Sequence, residues 1–244
     1  MRSSSHFDFV DLFAGIGGFH AAIGTLGGRG VYASEIDSMA ADVYELNWRV
    51  RPEGDIVPAT TNRMDVPEHD VLAAGFPCQP FSKSGYQRGM EEARGTLFWN
   101  ILRVLKTRRP TVVLLENVRN LTGPRHAQEW DVIVRSLREL GYRVSSTPAV
   151  FSPHLLPPEL GGRPQIRERV FILGTYVGKR KAEEDVAPIV RNRAIAGWNP
   201  QEWDLETHLP LDPEHTIKNR DRYALSSDEQ DWIEAWDDFV RSIR

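Results

Sequence analysis

Phe7-Asp8-Phe9-Val10-Asp11-Leu12-Phe13-Ala14-Gly15-Ile16-Gly17-Gly18-Phe19-His20 is the stretch from which the architecture can be read. Its aromatic and β-branched run to Phe13 stops at a glycine turn, and apolar residues then recur at helical spacing from Phe19 to Leu26. The order is strand, loop, helix. In an open α/β sheet a glycine loop at the carboxyl end of the first strand is where ligands bind, because glycine lets a ligand approach the backbone closely.

The same alternation continues outward. Val31 to Ile36 reads as a second strand, and Ser38 opens a helix through Asn47. His69 to Phe76 is a third apolar run, broken by Pro77. Gly95 to Arg109 is an amphipathic helix that cannot pass Pro110, and Thr111 to Leu115 is an apolar strand. Trp130 to Leu140 forms a helix closed by Gly141, before strands at Tyr142 to Phe151 and Arg169 to Val177. Strands alternating with helices predict an α/β fold with a doubly wound, mostly parallel sheet. We place one domain at residues 1–179. Residues 180–244 read as an irregular linker followed by an amphipathic helix. Ser226-Ser227-Asp228-Glu229 has the form of a capping box, and Trp232, Trp236, Phe239, Val240 and Ile243 make one apolar stripe beyond it.

Composition narrows the function classes. With 41% apolar and 26% charged residues in 244, the chain has the make-up of a globular domain with one sizeable core. No apolar run approaches the ~20 residues that cross a bilayer, so no membrane role is expected and the cytoplasm is the predicted compartment. A single cysteine excludes an internal disulfide, and seven scattered histidines show no zinc-ligand spacing, so metal chemistry is not expected. The net charge of −4 speaks weakly against a nucleic-acid partner, but its distribution is uneven. Lys83 to Arg125 holds nine Lys/Arg against three Glu, whereas Gln201 to Arg244 holds five against twelve acids. A basic run of this kind is also compatible with a solvated helix face.

Four motifs carry candidate chemistry. The dinucleotide pattern G-x-G-x-x-G fails in the first loop, since His20 stands where the third glycine belongs. Glu35 nevertheless ends the second strand twenty positions after Gly15, placed to bind ribose hydroxyls unless it is a plain surface carboxylate. Adenosine recognition without a pyrophosphate site points to S-adenosyl-L-methionine. Cys78 lies in Gly75-Phe76-Pro77-Cys78-Gln79-Pro80-Phe81-Ser82, whose two prolines suit a presented thiol better than the buried small hydrophobe that a lone cysteine usually is. Glu116 ends an apolar strand on the same sheet edge, as a reacting carboxylate or as a cap for the next helix. Arg167 and Arg169, two positions apart in Gln165-Ile166-Arg167-Glu168-Arg169, would share one side of a strand, as ligand contacts or as a surface pair.

In this order, D-L-F-A-G-I-G-G, G-F-P-C-Q-P-F-S, L-E-N-V and Q-I-R-E-R closely resemble the bacterial DNA cytosine-5 methyltransferases, over roughly Phe9 to Gly174. The resemblance implies the Rossmann-like fold of S-adenosylmethionine-dependent methyltransferases, double-stranded DNA as substrate, and a role in restriction-modification beside the nucleoid. It assigns Phe13, Gly15 and Gly17 to the methionine moiety, Glu35 to the ribose, and Ile36 to the adenine face. Asp55 and Ile56 then meet the adenine edge, and Pro77 and Leu97 complete the cofactor contacts. Cys78 becomes the nucleophile, Glu116 the partner of ring nitrogen 3, and Gln165, Arg167 and Arg169 the motif that organises the pocket and faces DNA. Gln79, Ser82, Lys83, Gln165 and Arg167 face DNA, whose target cytosine is flipped out of the duplex.

Ser152 to Leu160 departs from the family's shorter approach to Q-x-R-x-R and receives no assignment. The chain stops near where the family's target-recognition region begins, and no later G-N-x-V element follows. The expectation is therefore that a second polypeptide or a C-terminal segment supplies recognition. Two other readings stand beside it. One is a tRNA cytosine methyltransferase, a branch that uses the same cysteine and glutamate. The other is an inactive, methyltransferase-like DNA-binding subunit.

Overall fold

The computed structural model describes residues 6–61, 63–77, 96–156, 161–163, 165–189 and 224–242. The chain divides into two compact units, residues 1–198 and 199–244. In the first unit, the described strands are β1 (Phe7–Leu12), β2 (Gly28–Ser34), β3 (Val71–Gly75), β4 (Val112–Val118), β5 (Tyr142–Val144), β6 (Ala149–Phe151) and β7 (Arg169–Tyr176). They form one sheet in the order β2-β1-β3-β4-β7-β5, with β6 also on β7. From β2 to β4 every pairing is parallel, and β7 then enters antiparallel to β4. The mostly parallel expectation thus describes one half of a mixed sheet. The predicted strand Tyr142 to Phe151 is two short ones, β5 on the end of β7 and β6 on its beginning. Between them Ser145 Oγ donates to the Thr147 carbonyl and accepts from the Thr147 amide, and Pro148 offers no N–H to a ladder.

Helices α1 (Gly18–Gly24), α2 (Ser38–Trp48), α3 (Ile56–Thr61), α4 (Leu97–Arg108), α5 (Ala127–Glu139) and α6 (Lys179–Ala182) complete this unit. Their boundaries have local causes. The Asp37 side chain accepts from the amides of Met39 and Ala40 to start α2, and Thr96 Oγ accepts from the Trp99 amide to start α4. Helix α4 ends with Arg109 in the left-handed region before Pro110. Beyond α5, Gly141 takes φ 94°. Helices α4 and α5 bury Ile101, Leu102, Leu105, Val132, Ile133 and Leu137 in one core with Val10, Leu12, Val113 and Leu115 of the sheet. Phe9 and Ala73 instead meet Ile23 and Phe19 of α1, so β1 is covered on both faces and its last four residues, Phe9 to Leu12, are all buried.

In the second unit the described element is α7 (Ser227–Ser242). Its capping box forms as the sequence predicts: the Ser226 amide donates to the Glu229 carboxylate at 2.8 Å, and the Glu229 amide donates to Ser226 Oγ. Trp232, Trp236 and Phe239 are exposed along one stripe, and Ile243 lies outside the described residues.

Candidate active site

The carboxyl ends of β1 and β2 build the first part of the site from backbone. Phe13 leaves β1 with φ 57°, and Gly15 and Gly17 follow with φ 54° and 93°. Positive φ is costly for a residue with a Cβ, so Phe13 stores strain of roughly 1–3 kcal/mol where the loop begins. The loop is tied to β2 by the Ala14 amide donating to the Ser34 carbonyl at 2.9 Å. Glu35 is half-buried and held by two amides, Gly15 to Oε2 at 2.7 Å and Asp37 to Oε1 at 2.8 Å. Each oxygen keeps a free lone pair. Ile36 is 78% exposed beside it. A Cβ on Gly15 or Gly18 would meet nothing within 4 Å, so the loop borders open space. At Gly17 the missing side chain makes room for the Trp48 indole, leaving only main chain to face a ligand.

Glu53 bridges to Ser34, and the Glu35 amide donates to the Glu53 carbonyl at 3.0 Å, which brings Asp55 and Ile56 beside the β2 end. Asp55 caps α3 by accepting from the Val57 amide. Ile56 is a core residue at 3% exposure, so its main chain alone could meet a ligand. Pro77 is exposed and Leu97 half-buried at the start of α4. Cys78, Gln79, Ser82 and Lys83 lie outside the described residues.

Strand register assembles the second part. Asp11 pairs with Ala73, and Gly75 with Glu116, which in turn faces Phe171 on β7. Side chains alternate along a strand, so Asp11, Gly75, Glu116, Phe171 and Arg169 share one face. A Cβ on Gly75 would stand 3.3 Å from Glu116 Oε2 and 3.9 Å from the Phe13 carbonyl. Glu116 accepts from Arg169 Nε at 2.7 Å, with both side chains about a quarter exposed. Arg169 also donates to the Glu168 carbonyl, and Glu168 pairs with Arg119 at 2.7 Å. β7 begins at Arg169, so Arg167 precedes the strand and the two-residue alternation does not reach it; Arg167 and Gln165 are both exposed.

Three contributors were not assigned from sequence. Asn117, buried and quoted only within L-E-N-V, donates from Nδ2 to the Phe76 carbonyl at 2.8 Å and so ties β4 to the segment leading to Cys78. Ser152, in the unassigned insertion, is fully buried and accepts from the Arg167 amide at 2.9 Å, holding the approach to β7. Asp11 is 0% exposed, and neither of its oxygens takes a hydrogen bond of full geometry, the His20 amide lying nearby without completing one. Burial pushes its carboxyl up to about 8, opposed by the His20 amide and reinforced by the charge of Glu35. Asn117 had a signal in its motif; Ser152 had none. Among the described residues no His, Cys, Asp and Glu group could hold a metal ion, and no helix is long and apolar enough to cross a membrane.

The profile of the family described as C-5 cytosine-specific DNA methylase matches residues 7–238. Type II methyltransferase M.AluI of Cellulosimicrobium cellulans is 46% identical over 279 aligned residues, covering 100% of this chain and 53% of that protein. Type II methyltransferase M.HhaI of Haemophilus parahaemolyticus is 42% identical over 165 residues, 68% of this chain and 48% of that protein. The chain thus spans about half the length of the curated relatives it matches. Among solved structures, S. pombe Dnmt2 methyltransferase is similar in fold with a TM-score of 0.54 at 24% identity, over 75% of this chain and 51% of that one.

Proposed function

The chain belongs to the C-5 cytosine-specific DNA methylase family, and on that premise we propose that it transfers a methyl group from S-adenosylmethionine to carbon 5 of cytosine in duplex DNA, through a covalent Cys78 adduct, within a restriction-modification system. The observation that carries this reading is the meeting of three segments at Gly75. The glycine loop through Phe13, the strand end that leads to Cys78, and the Glu116 carboxylate all come within 4 Å of a Cβ built there, or continue from it. The residues fit the cofactor: open space along Gly15 and Gly18, free lone pairs on Glu35, and an uncovered Ile36. When bound, that cofactor supplies an electrophilic methyl group.

Carbon 5 of cytosine is too electron-poor to accept the methyl group directly. The Cys78 thiolate adds at carbon 6, and the resulting charge on the ring is met at nitrogen 3 by the carboxyl of Glu116, which Arg169 holds in place. Carbon 5 then takes the methyl group, a base removes its proton, and the Cys78–carbon 6 bond breaks to restore both ring and thiolate. Arg167, Gln165, Gln79, Ser82 and Lys83 are proposed to face the DNA around the flipped base. In the same reading a second polypeptide or C-terminal segment contributes target recognition, supported by the half-length coverage of the relatives and the exposed apolar stripe of α7.

A duplex carrying 5-fluorocytosine tests the mechanism, because fluorine blocks the final elimination. A covalent protein–DNA adduct is expected with the native chain in its methylating assembly, and none with Cys78→Ala. Turnover by Cys78→Ala, or tritiated methyl transfer to tRNA rather than to DNA, would overturn the reading.

A further inference from the structure

The glycine loop has a support that the methylation mechanism does not use. Trp48, the last residue of α2, is half-buried, and its indole N–H donates to the Ile16 carbonyl at 3.3 Å. Its ring occupies the space where a Gly17 side chain would be, since a Cβ there would overlap the indole nitrogen. The imidazole of His20 lies flat against that ring, with centroids 4.5 Å apart and planes 12° from parallel. His20 is fixed in turn by a 2.6 Å hydrogen bond between Nδ1 and the Tyr44 hydroxyl, and by the edge of Phe9 at 5.1 Å. Tyr44 is 1% exposed and packs with Ala14 and Ala33, so the stack is anchored in the core.

We propose that Trp48 is a positioning residue for the cofactor: it props the loop at Ile16 and Gly17 in the curve that receives the amino-acid end of S-adenosylmethionine. The proposal rests on the cofactor reading above. The loop has a reason to need a prop. Phe13, Gly15 and Gly17 all take positive φ, and beside the hydrogen bonds made by the main chain of Ala14, Gly15 and Gly17, the Trp48 indole holds the loop at Ile16. On the adenosine side, Glu35 is already fixed by the Gly15 and Asp37 amides. Trp48 thus acts on one end of the ligand and leaves the other to Glu35. The indole does so through two features that a smaller ring lacks together, an N–H aimed at Ile16 and the area to span His20 and Gly17.

Calorimetry on the 244-residue chain tests this with two ligands that share adenosine and the thioether sulfur, S-adenosylhomocysteine and 5′-methylthioadenosine, the second lacking the amino-acid end. Trp48→Phe keeps an aromatic ring against His20 and loses the N–H; it is expected to weaken S-adenosylhomocysteine about three- to tenfold, the value of one neutral hydrogen bond, and to leave 5′-methylthioadenosine within about twofold. Trp48→Ala is expected to exaggerate the same split, and faster amide exchange at Ile16 to Gly18 should accompany it, with β1 still protected. Equal weakening of both ligands, or no change in either, would overturn the positioning role. Failure of the unsubstituted chain to bind either ligand would instead refute the cofactor reading, and this proposal with it. Glu35→Ala is the control that should weaken both ligands alike.

Discussion

The parallel and antiparallel halves of the sheet hold their carboxylates by different means. On the parallel side, Glu35 is gripped by two main-chain amides, from Gly15 and Asp37. Where β4 meets the antiparallel β7, Glu116 is gripped by a side chain, the guanidinium of Arg169. Main-chain donors survive every side-chain substitution but proline, whereas the Arg169 contact is lost with almost any single change. The first carboxylate is positioned as firmly as the loop that carries the amides. The second is positioned as firmly as one ion pair, itself steadied by the Glu168–Arg119 pair beside it.

The largest effect should therefore come from the antiparallel half. Glu116→Gln is expected to lower methyl transfer about 10²- to 10⁴-fold, the usual worth of a positioned acid–base group. Arg169→Ala should cost most of that, with S-adenosylhomocysteine affinity unchanged in both. Steady-state rates paired with calorimetry check it, and an affinity loss equal to the rate loss would erase the distinction between the halves.

A smaller effect is expected across the sheet. Glu35→Ala should weaken S-adenosylmethionine about ten- to a hundredfold, since it removes the carboxylate from the proposed ribose contact. The rate at saturating cofactor should change little. A drop in saturated rate with unchanged affinity would move Glu35 into the chemistry and out of the cofactor site.

The smallest effect concerns Asp11, which shares a sheet face with Glu116 but lacks any gripping partner. Its carboxyl is raised from 3.8 to about 8 in the folded chain, so between those values folding requires a proton that the unfolded chain has already released. Its contribution to stability is full below about pH 4 and is lost as pH rises through about 8. Burial lowers His20 and His69, which costs stability as pH falls and so runs the other way. The difference between the native chain and Asp11→Asn isolates the aspartate. Asp11→Asn is expected to raise the melting temperature by a few degrees at pH 8, with the gain fading toward pH 5. Thermal melts giving a gain independent of pH would mean that Asp11 is neutral, or ionised, across the whole range.

Much of this protein was settled by sequence alone, because the signals are local. Apolar period, caps and breakers mark β1, α2, α4, α5 and the capped start of α7 within a few residues of themselves. Gly15, Gly17 and Gly18 mark the loop between β1 and α1, and Glu35 follows at a fixed distance along the chain. What only the tertiary structure decided depends on residues far apart in sequence. That β7 runs against β4, that Arg169 reaches Glu116 across 53 positions, that Ser152 holds the Arg167 amide and that Trp48 fills the place of a Gly17 side chain leave no periodic trace. Each is fixed by strand register or by a void that a distant side chain happens to fit, and such packing depends on which surfaces meet rather than on the run of residues that forms either one.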